Sequence, residues 1–168
     1  CLLSMCRRTN PGSIESIFCF GSGSTMEGGI DIITNLGIDD IYTFPDNDEP
    51  GIKYAFDIAN EYPHTYVIKP EDYKPREDPA DWAGRSTFDD LQTIFRGRIP
   101  AFSWIGSKLA EESVNGTLEE QSHVREKVVQ LAKKLSPINR EVFLKSFAPI
   151  TGVSFESLVE EVVNSTAI

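Results

Sequence analysis

The spacing of hydrophobic residues separates the chain into two halves with different expected structures. Up to about residue 82, short apolar runs alternate with segments whose apolar residues recur at helical spacing. The apolar runs predict three strands, at residues 14–20, 38–44 and 66–68. Between the last two strands, the apolar positions from Ile52 to Ala59 follow the i, i+3, i+4, i+7 pattern of a helix. Strands separated by single helices form parallel sheets with right-handed crossovers, so the first half is predicted to be α/β.

The second half, from about residue 86, shows helical spacing and no strand pattern. Five helices are predicted, at 87–96, 101–112, 119–135, 137–148 and 154–163. Ser136 precedes a proline and is expected to cap one of these helices, and Ser154 is expected to cap the last. We therefore expect an α/β domain at residues 1–84 and an all-α helical subdomain at residues 85–168.

Composition and charge restrict the kind of protein that this sequence encodes. Of its 168 residues, 40% are hydrophobic and 25% are charged, which is typical of a folded globular chain and excludes wholesale disorder. No apolar run approaches the roughly 18–20 residues of a membrane-spanning helix, so no membrane partner is expected. The three cysteines form no CxxC pair, which favours reduced thiols and a cytoplasmic location. The formal net charge of -10 excludes nucleic-acid binding by bulk electrostatics, so any polyanion requires a local site, such as one bridged by metal ions.

Two aspartates stand where ligands collect in an open parallel sheet. Asp46 and Asp48 directly follow the predicted strand 38–44, at its carboxyl end. Their carboxylates repel each other unless a cation lies between them, which favours a divalent metal ion. The N-terminus of the helix that follows favours a phosphate at the same place. The alternative that the sequence leaves open is an acidic loop in which Asp48 only caps that helix.

Two other segments have a candidate role at the same edge of the sheet. Residues 77–81 follow the third predicted strand and contain Asp78, which is interpreted either as a further metal or water ligand or as part of a solvated turn. Residues 21–25, Gly-Ser-Gly-Ser-Thr, form a predicted strand-to-helix loop. This loop could hold a phosphate, although a tight turn with a helix cap explains the same residues.

The order of these motifs resembles a known family. The pattern Asp46-x-Asp48-x-x-Gly51-x-Lys53-x-Ala55 resembles the aspartate motif of Toprim domains, the metal-binding fold shared by primases and topoisomerases. The glycine loop before the aspartates and the acidic Asp-Pro turn after the third strand narrow the resemblance to bacterial DnaG-type DNA primases. In the second half, residues 98–104 and 135–144 are similar to the first and last helices that follow the Toprim core in that family.

The resemblance implies a Toprim-like parallel sheet with flanking helices, followed by the helical subdomain of a primase. It implies template-directed synthesis of short RNA primers with two Mg²⁺ or Mn²⁺ ions, held by Asp46 and Asp48 with support from Asp78. Lys53 would meet a phosphate of the nucleotide, although an exposed helix charge explains it equally well. The implied partners are a single-stranded DNA template, nucleoside triphosphates and a replicative helicase.

The same resemblance implies that part of the active site lies outside this sequence. The family's spacing places its catalytic glutamate just before Cys1, so the first strand of the Toprim core is expected to be missing and the chain alone to be inactive. Glu27 lies within a predicted helix, where Ser24 and Glu27 form a capping box. Two alternatives stay open, namely a Toprim nuclease or topoisomerase fragment and a non-catalytic replication interaction module whose aspartates are helix caps.

Overall fold

The structure, a computed structural model, describes residues 40–46, 48–62, 64–70, 72–74 and 78–165. Within these ranges the chain is of mixed α/β class, mostly helical, with three short strands and seven helices. Several predictions lie outside the described residues, namely the strand at 14–20, the loop at 21–25 and the capping role of Glu27.

The described elements follow one another along the chain with short connections. In order, they are β1 (Ile41–Thr43), α1 (Glu49–Glu61), β2 (Thr65–Val67), α2 (Pro79–Arg85), α3 (Phe88–Arg96), β3 (Ile99–Pro100), α4 (Ala101–Asn115), α5 (Leu118–Lys133), α6 (Pro137–Thr151) and α7 (Phe155–Asn164). The described residues divide into two compact units, one within residues 40–58 and 64–98 and the other within residues 59–62 and 99–165.

The first unit contains a parallel β-α-β arrangement. Strands β1 and β2 pair in parallel, with Ile41 opposite Thr65, Tyr42 opposite Tyr66 and Thr43 opposite Val67. Helix α1 connects them, as a parallel pair requires. The predicted parallel pairing of the strands on either side of this helix is therefore confirmed.

A second set of helices completes the core of the first unit. Trp82 of α2 and Leu91 of α3 are buried in one hydrophobic cluster with Ile68 and Tyr73, which follow β2. Phe44, just after β1, packs on this cluster, with its ring centroid 5.1 Å from that of Tyr73. Because α2 and α3 share this core, both helices belong to the first compact unit, which ends at residue 98.

The second unit is built mainly from α4, α5, α6 and α7. Phe102 and Trp104 of α4 and Phe143 and Phe147 of α6 are buried, as core side chains of a helical unit should be. Helices α4 and α6 approach closely at Gly106, where an added Cβ would lie 2.5 Å from the carbonyl oxygen of Phe143. Only glycine permits this approach without displacing the backbone.

Polar contacts fix the ends and the neighbours of these helices. Ser136 and Ser154 accept hydrogen bonds from backbone N–H groups in the first turns of α6 and α7, so both predicted caps are confirmed. The Arg125 guanidinium of α5 pairs with the Glu161 carboxylate of α7. Arg140 donates to the carbonyl oxygen of Ala132 at 2.9 Å, satisfying a group at the end of α5.

Two elements were not predicted. Residues 79–85 form helix α2, although the acidic segment around Asp78 was interpreted as a metal-ligand loop or a solvated turn. The expectation of no strand after residue 86 is wrong, because Ile99 and Pro100 form the two-residue strand β3. Among the described helices, none is both long enough and apolar enough to cross a membrane.

Candidate functional site

The first candidate residue, Asp46, lies in the short loop between β1 and α1. Its backbone packs against Gly51 in the first turn of α1, where an added Cβ would press on the Asp46 carbonyl oxygen and lie 2.9 Å from the carbonyl carbon. Glycine at this position allows the loop to fold back tightly over the start of the helix. The Asp46 side chain stays largely exposed there.

The second candidate residue, Asp48, caps α1. Its Oδ1 accepts a hydrogen bond from the Gly51 N–H at 2.8 Å, and its carbonyl oxygen accepts from the Ile52 N–H at 3.1 Å. These are the two hydrogen bonds of an N-cap residue. Asp48 therefore caps α1, as the alternative interpretation of the sequence expected. The cap occupies one carboxylate oxygen of Asp48 and does not use the other.

The third candidate residue, Asp78, has the same role at the start of α2. Its Oδ1 accepts from the Asp81 N–H at 2.7 Å, and Pro79 occupies the first helical position, where a missing N–H costs nothing. The Asp78 carbonyl oxygen accepts from the Trp82 N–H at 3.1 Å. Because the Trp82 side chain is buried in the core, this turn fixes the position of Asp78.

A further aspartate, Asp72, connects the segment after β2 to helix α2 through polar contacts. Asp72 pairs with the Arg85 guanidinium and accepts a hydrogen bond from Trp82 Nε1 at 3.2 Å. The Arg85 side chain also donates to the Asp72 carbonyl oxygen at 3.2 Å. The hydrogen bond from Arg85 is the main reason that the pKa of the Asp72 carboxyl is below its ordinary value. No sequence pattern marks Asp72 as a site residue, because its partner Arg85 lies thirteen positions away.

One of the three candidate carboxylates, Asp46, has a shifted pKa. Partial burial raises the pKa of Asp46 above its ordinary value of 3.8, and the negative charges of Asp48 and Asp78 raise it further. That the three aspartates share one metal site at the edge of the sheet stays a prediction. An acid whose pKa rises on folding lowers stability at neutral pH, and the loss is relieved as the pH falls through the raised pKa.

Lys53 has a different environment from the three aspartates. It lies on α1 with 76% of its side chain exposed, and its Nζ is 2.6 Å from Asp57 Oδ2, one helical turn further on. This i, i+4 ion pair is the ordinary arrangement of an exposed helix charge. Contact of Lys53 with a nucleotide phosphate stays a prediction.

The donor chemistry of the three aspartates fits a hard divalent cation. Mg²⁺ and Mn²⁺ prefer carboxylate oxygens, and Mg²⁺ is usually held by one or two carboxylates while water and substrate phosphates complete its shell. Burial is the main reason that the pKa of Asp46 is raised, and a cation would relieve the smaller part that comes from the charges of Asp48 and Asp78. Within the described ranges, no three or more His, Cys, Asp or Glu side chains lie close enough together to hold a metal ion.

Comparison of the chain with protein-family models, with curated proteins and with solved structures returned no match.

Proposed function

We propose that this chain is part of a primase-type nucleotidyltransferase, with a Toprim-like α/β half that binds Mg²⁺ or Mn²⁺ through Asp46, Asp48 and Asp78. The observation that carries the proposal is the position of Asp46 and Asp48 just after the first strand of a parallel pair. A parallel β-α-β unit delivers Asp46 and Asp48 after one strand and leads to Asp78 after the next. Ligands of open α/β sheets bind beyond the carboxyl ends of the strands.

The three aspartates have unequal roles in this proposal. Asp46 makes no capping bond in the first turn of α1, so we assign it the principal contact with a cation. Asp48 and Asp78 are held in place by their capping bonds, which fix the carboxylates before a ligand arrives. This preorganisation matters because the geometry of a catalytic carboxylate must be held within a fraction of an ångström.

The chain's own groups also suit a triphosphate. The N-terminus of α1, a helix of 13 residues, carries backbone N–H groups and a partial positive charge that favour a phosphate near Asp48. When bound, the metal ions neutralise charge on the triphosphate and lower the pKa of the attacking 3′-hydroxyl. In this proposal the aspartates hold the metal ions and so position the triphosphate. The second, helical unit would correspond to the helical subdomain of a primase.

Two alternatives follow from the same residues. A Toprim nuclease or topoisomerase would use the same carboxylates to cleave a phosphodiester bond rather than to form one. A non-catalytic interaction module would need Asp48 and Asp78 only as helix caps, and their capping bonds favour this candidate. The two classes differ in one property, since a module has no need of a divalent cation.

The test of the proposed function compares two variants of the full-length gene product, in each of which asparagine replaces one aspartate and removes one negative charge. We expect Asp46→Asn to reduce Mg²⁺-dependent, template-directed dinucleotide synthesis by at least about a hundredfold, because a bound metal ion supplies several kcal/mol of transition-state stabilisation. Asp57→Asn removes the same charge from the exposed, ion-paired position on α1 and should change the rate less than about twofold.

Three outcomes of this assay count against the proposal. Activity of Asp46→Asn equal to that of the wild type would remove the metal site from the mechanism. Cleavage of the oligonucleotide with the same Mg²⁺ dependence would identify the nuclease alternative. Absence of synthesis and cleavage in the wild-type protein would favour the interaction module.

A further inference from the structure

The turn between α4 and α5 contains an asparagine followed by a glycine. Asn115 is the last residue of α4 and is exposed, and Gly116 follows it with an extended backbone. The flanking side chains of Val114 and Leu118 are 47% and 85% exposed, so solvent reaches the turn from both sides. A side-chain amide, the backbone nitrogen of the next residue and water therefore meet at this turn.

These groups can react with one another. Gly116 has no Cβ, so its backbone nitrogen can approach the side chain before it closely. Attack of this nitrogen on Asn115 Cγ forms a cyclic imide. The Cγ–Nδ2 bond breaks, and the proton of the Gly116 N–H leaves with Nδ2 as ammonia. Water then opens the ring, giving aspartate when it adds to Cγ and isoaspartate when it adds to the main-chain carbonyl carbon.

Two hydrogen bonds hold the reacting groups apart in the closed turn. Asn115 Nδ2 donates to the carbonyl oxygen of Glu111 at 2.8 Å, and the Gly116 N–H donates to the carbonyl oxygen of Ser113 at 3.1 Å. The side chain of Asn115 is thus directed back along the helix, as helical Cα–Cβ bonds are. The reaction requires the last turn of α4 to open, which helix ends do at little free-energy cost.

We propose that Asn115 is a deamidation site, at which water converts the side-chain amide of the folded protein into a carboxylate. The inference does not depend on the proposed metal site. Among the asparagines of the described helices, Asn115 is the one that combines exposure, a helix end and a following glycine.

The new carboxylate would stand in an unfavourable electrostatic environment. It would lie at the C-terminus of α4, where the helix dipole disfavours negative charge. Glu120 Oε2 lies 3.2 Å from where a Cβ on Gly116 would be, and it accepts the Thr117 N–H at 2.6 Å as part of the cap of α5. The hydrogen bond from Asn115 Nδ2 to α4 would also be lost. We therefore expect deamidation to loosen the turn between α4 and α5.

Helix α7 supplies a control within the same chain. Asn164 is its last residue and is exposed, and the N–H of the next residue, Ser165, donates to the Glu161 carbonyl oxygen at 3.0 Å. Asn164 therefore matches Asn115 in exposure and in its place at a helix end. The difference is that serine carries a Cβ, which hinders approach of its nitrogen.

The test is incubation of the whole chain in warm, mildly alkaline buffer, followed by tryptic digestion and mass spectrometry. The peptide released by cleavage after Lys108 and Arg125 contains Asn115 as its only asparagine. We expect Asn115 to gain the mass of an amide-to-acid conversion at least about tenfold faster than Asn164, because glycine leaves the attacking nitrogen open. Gly116→Ser, which reproduces the dipeptide at 164–165, should slow Asn115 to the rate of Asn164.

A second readout follows the consequence for the fold. Conversion of Asn115 should lower the melting temperature of the incubated wild-type protein by roughly 1–4 °C, the shift expected for a charge that opposes a helix dipole. Asn115→Gln keeps the amide, but its longer side chain closes a ring less readily. Its melting temperature should not change during the same incubation.

The inference is overturned if Asn115 converts no faster than Asn164 in the folded wild-type protein, or if folded Gly116→Ser converts as fast as the wild type. The comparison of the two asparagines uses no variant, so it decides the question even if Gly116→Ser does not fold. Equal melting temperatures of converted and fresh wild-type protein would overturn the proposed loosening of the turn.

Discussion

Replacing Gly51 with alanine is expected to lower the free energy of unfolding by about 1–3 kcal/mol. The new Cβ would overlap the Asp46 carbonyl oxygen and lie 2.9 Å from its carbonyl carbon, and backbone atoms cannot rotate away as a side chain can. Alanine is the better helix former by about 1 kcal/mol, but this gain is smaller than the cost of moving the loop. Urea unfolding measures the difference.

Gly84→Ala is the control for this variant. Gly84 lies in helix α2 with open space where its Cβ would be, so alanine there should be neutral or should stabilise by about 0.5–1 kcal/mol. The account of the loop is contradicted if Gly51→Ala is as stable as Gly84→Ala. A folded Gly51→Ala protein should also bind Mn²⁺ less tightly than the wild type, because Asp46 is displaced.

Two substitutions of Asp48 separate its capping role from its proposed metal role. Asp48→Ala should cost about 1 kcal/mol of stability, whereas Asp48→Asn should cost little because asparagine caps helices as well as aspartate does. Both variants should bind Mn²⁺ at least about tenfold more weakly, since neither keeps the carboxylate that a hard cation prefers. Thermal melts and Mn²⁺ titration give the two readouts. If Asp48→Asn binds Mn²⁺ as tightly as the wild type does, Asp48 is not a metal ligand and acts only as a helix cap.

Much of the described fold follows from local sequence patterns. The apolar positions from Ile52 to Ala59 repeat at helical spacing between two apolar runs, and the structure forms α1 between the parallel strands β1 and β2. Ser136 and Ser154 stand immediately before α6 and α7. Their side chains accept hydrogen bonds from backbone N–H groups of the first turn, which have no acceptor within the helix. These features depend on neighbours only a few residues away.

The elements that the sequence did not reveal are short. Helix α2 has seven residues and buries only Trp82 and Ala83, which is too few apolar positions to define a period. Strand β3 has two residues, Ile99 and Pro100, and two residues cannot show the alternation by which strands are recognised. The local signals of α2 are its Asp78 cap and Pro79 at its start, and burial of Trp82 and Ala83 completes it.

The candidate site was predictable in part. Asp46 and Asp48 follow β1 directly, so their place at its carboxyl end could be read from the sequence. The interaction of Asp46 with Asp78 depends on the parallel crossover, which the sequence also indicated. The pairing of Asp72 with Arg85 depends on how a loop folds against α2, and nothing in the sequence specifies it.

Calorimetric titration of Mn²⁺ is the most direct measurement of the central claim, that the three aspartates bind a divalent cation. Wild-type protein, Asp46→Asn and the control Asp57→Asn are compared at one ionic strength, because exposed charges are screened by salt. The account predicts saturable heat from the wild type and from Asp57→Asn, and at least about tenfold weaker binding by Asp46→Asn, which lacks the carboxylate that a hard cation needs. Identical titrations of the three folded proteins would contradict it.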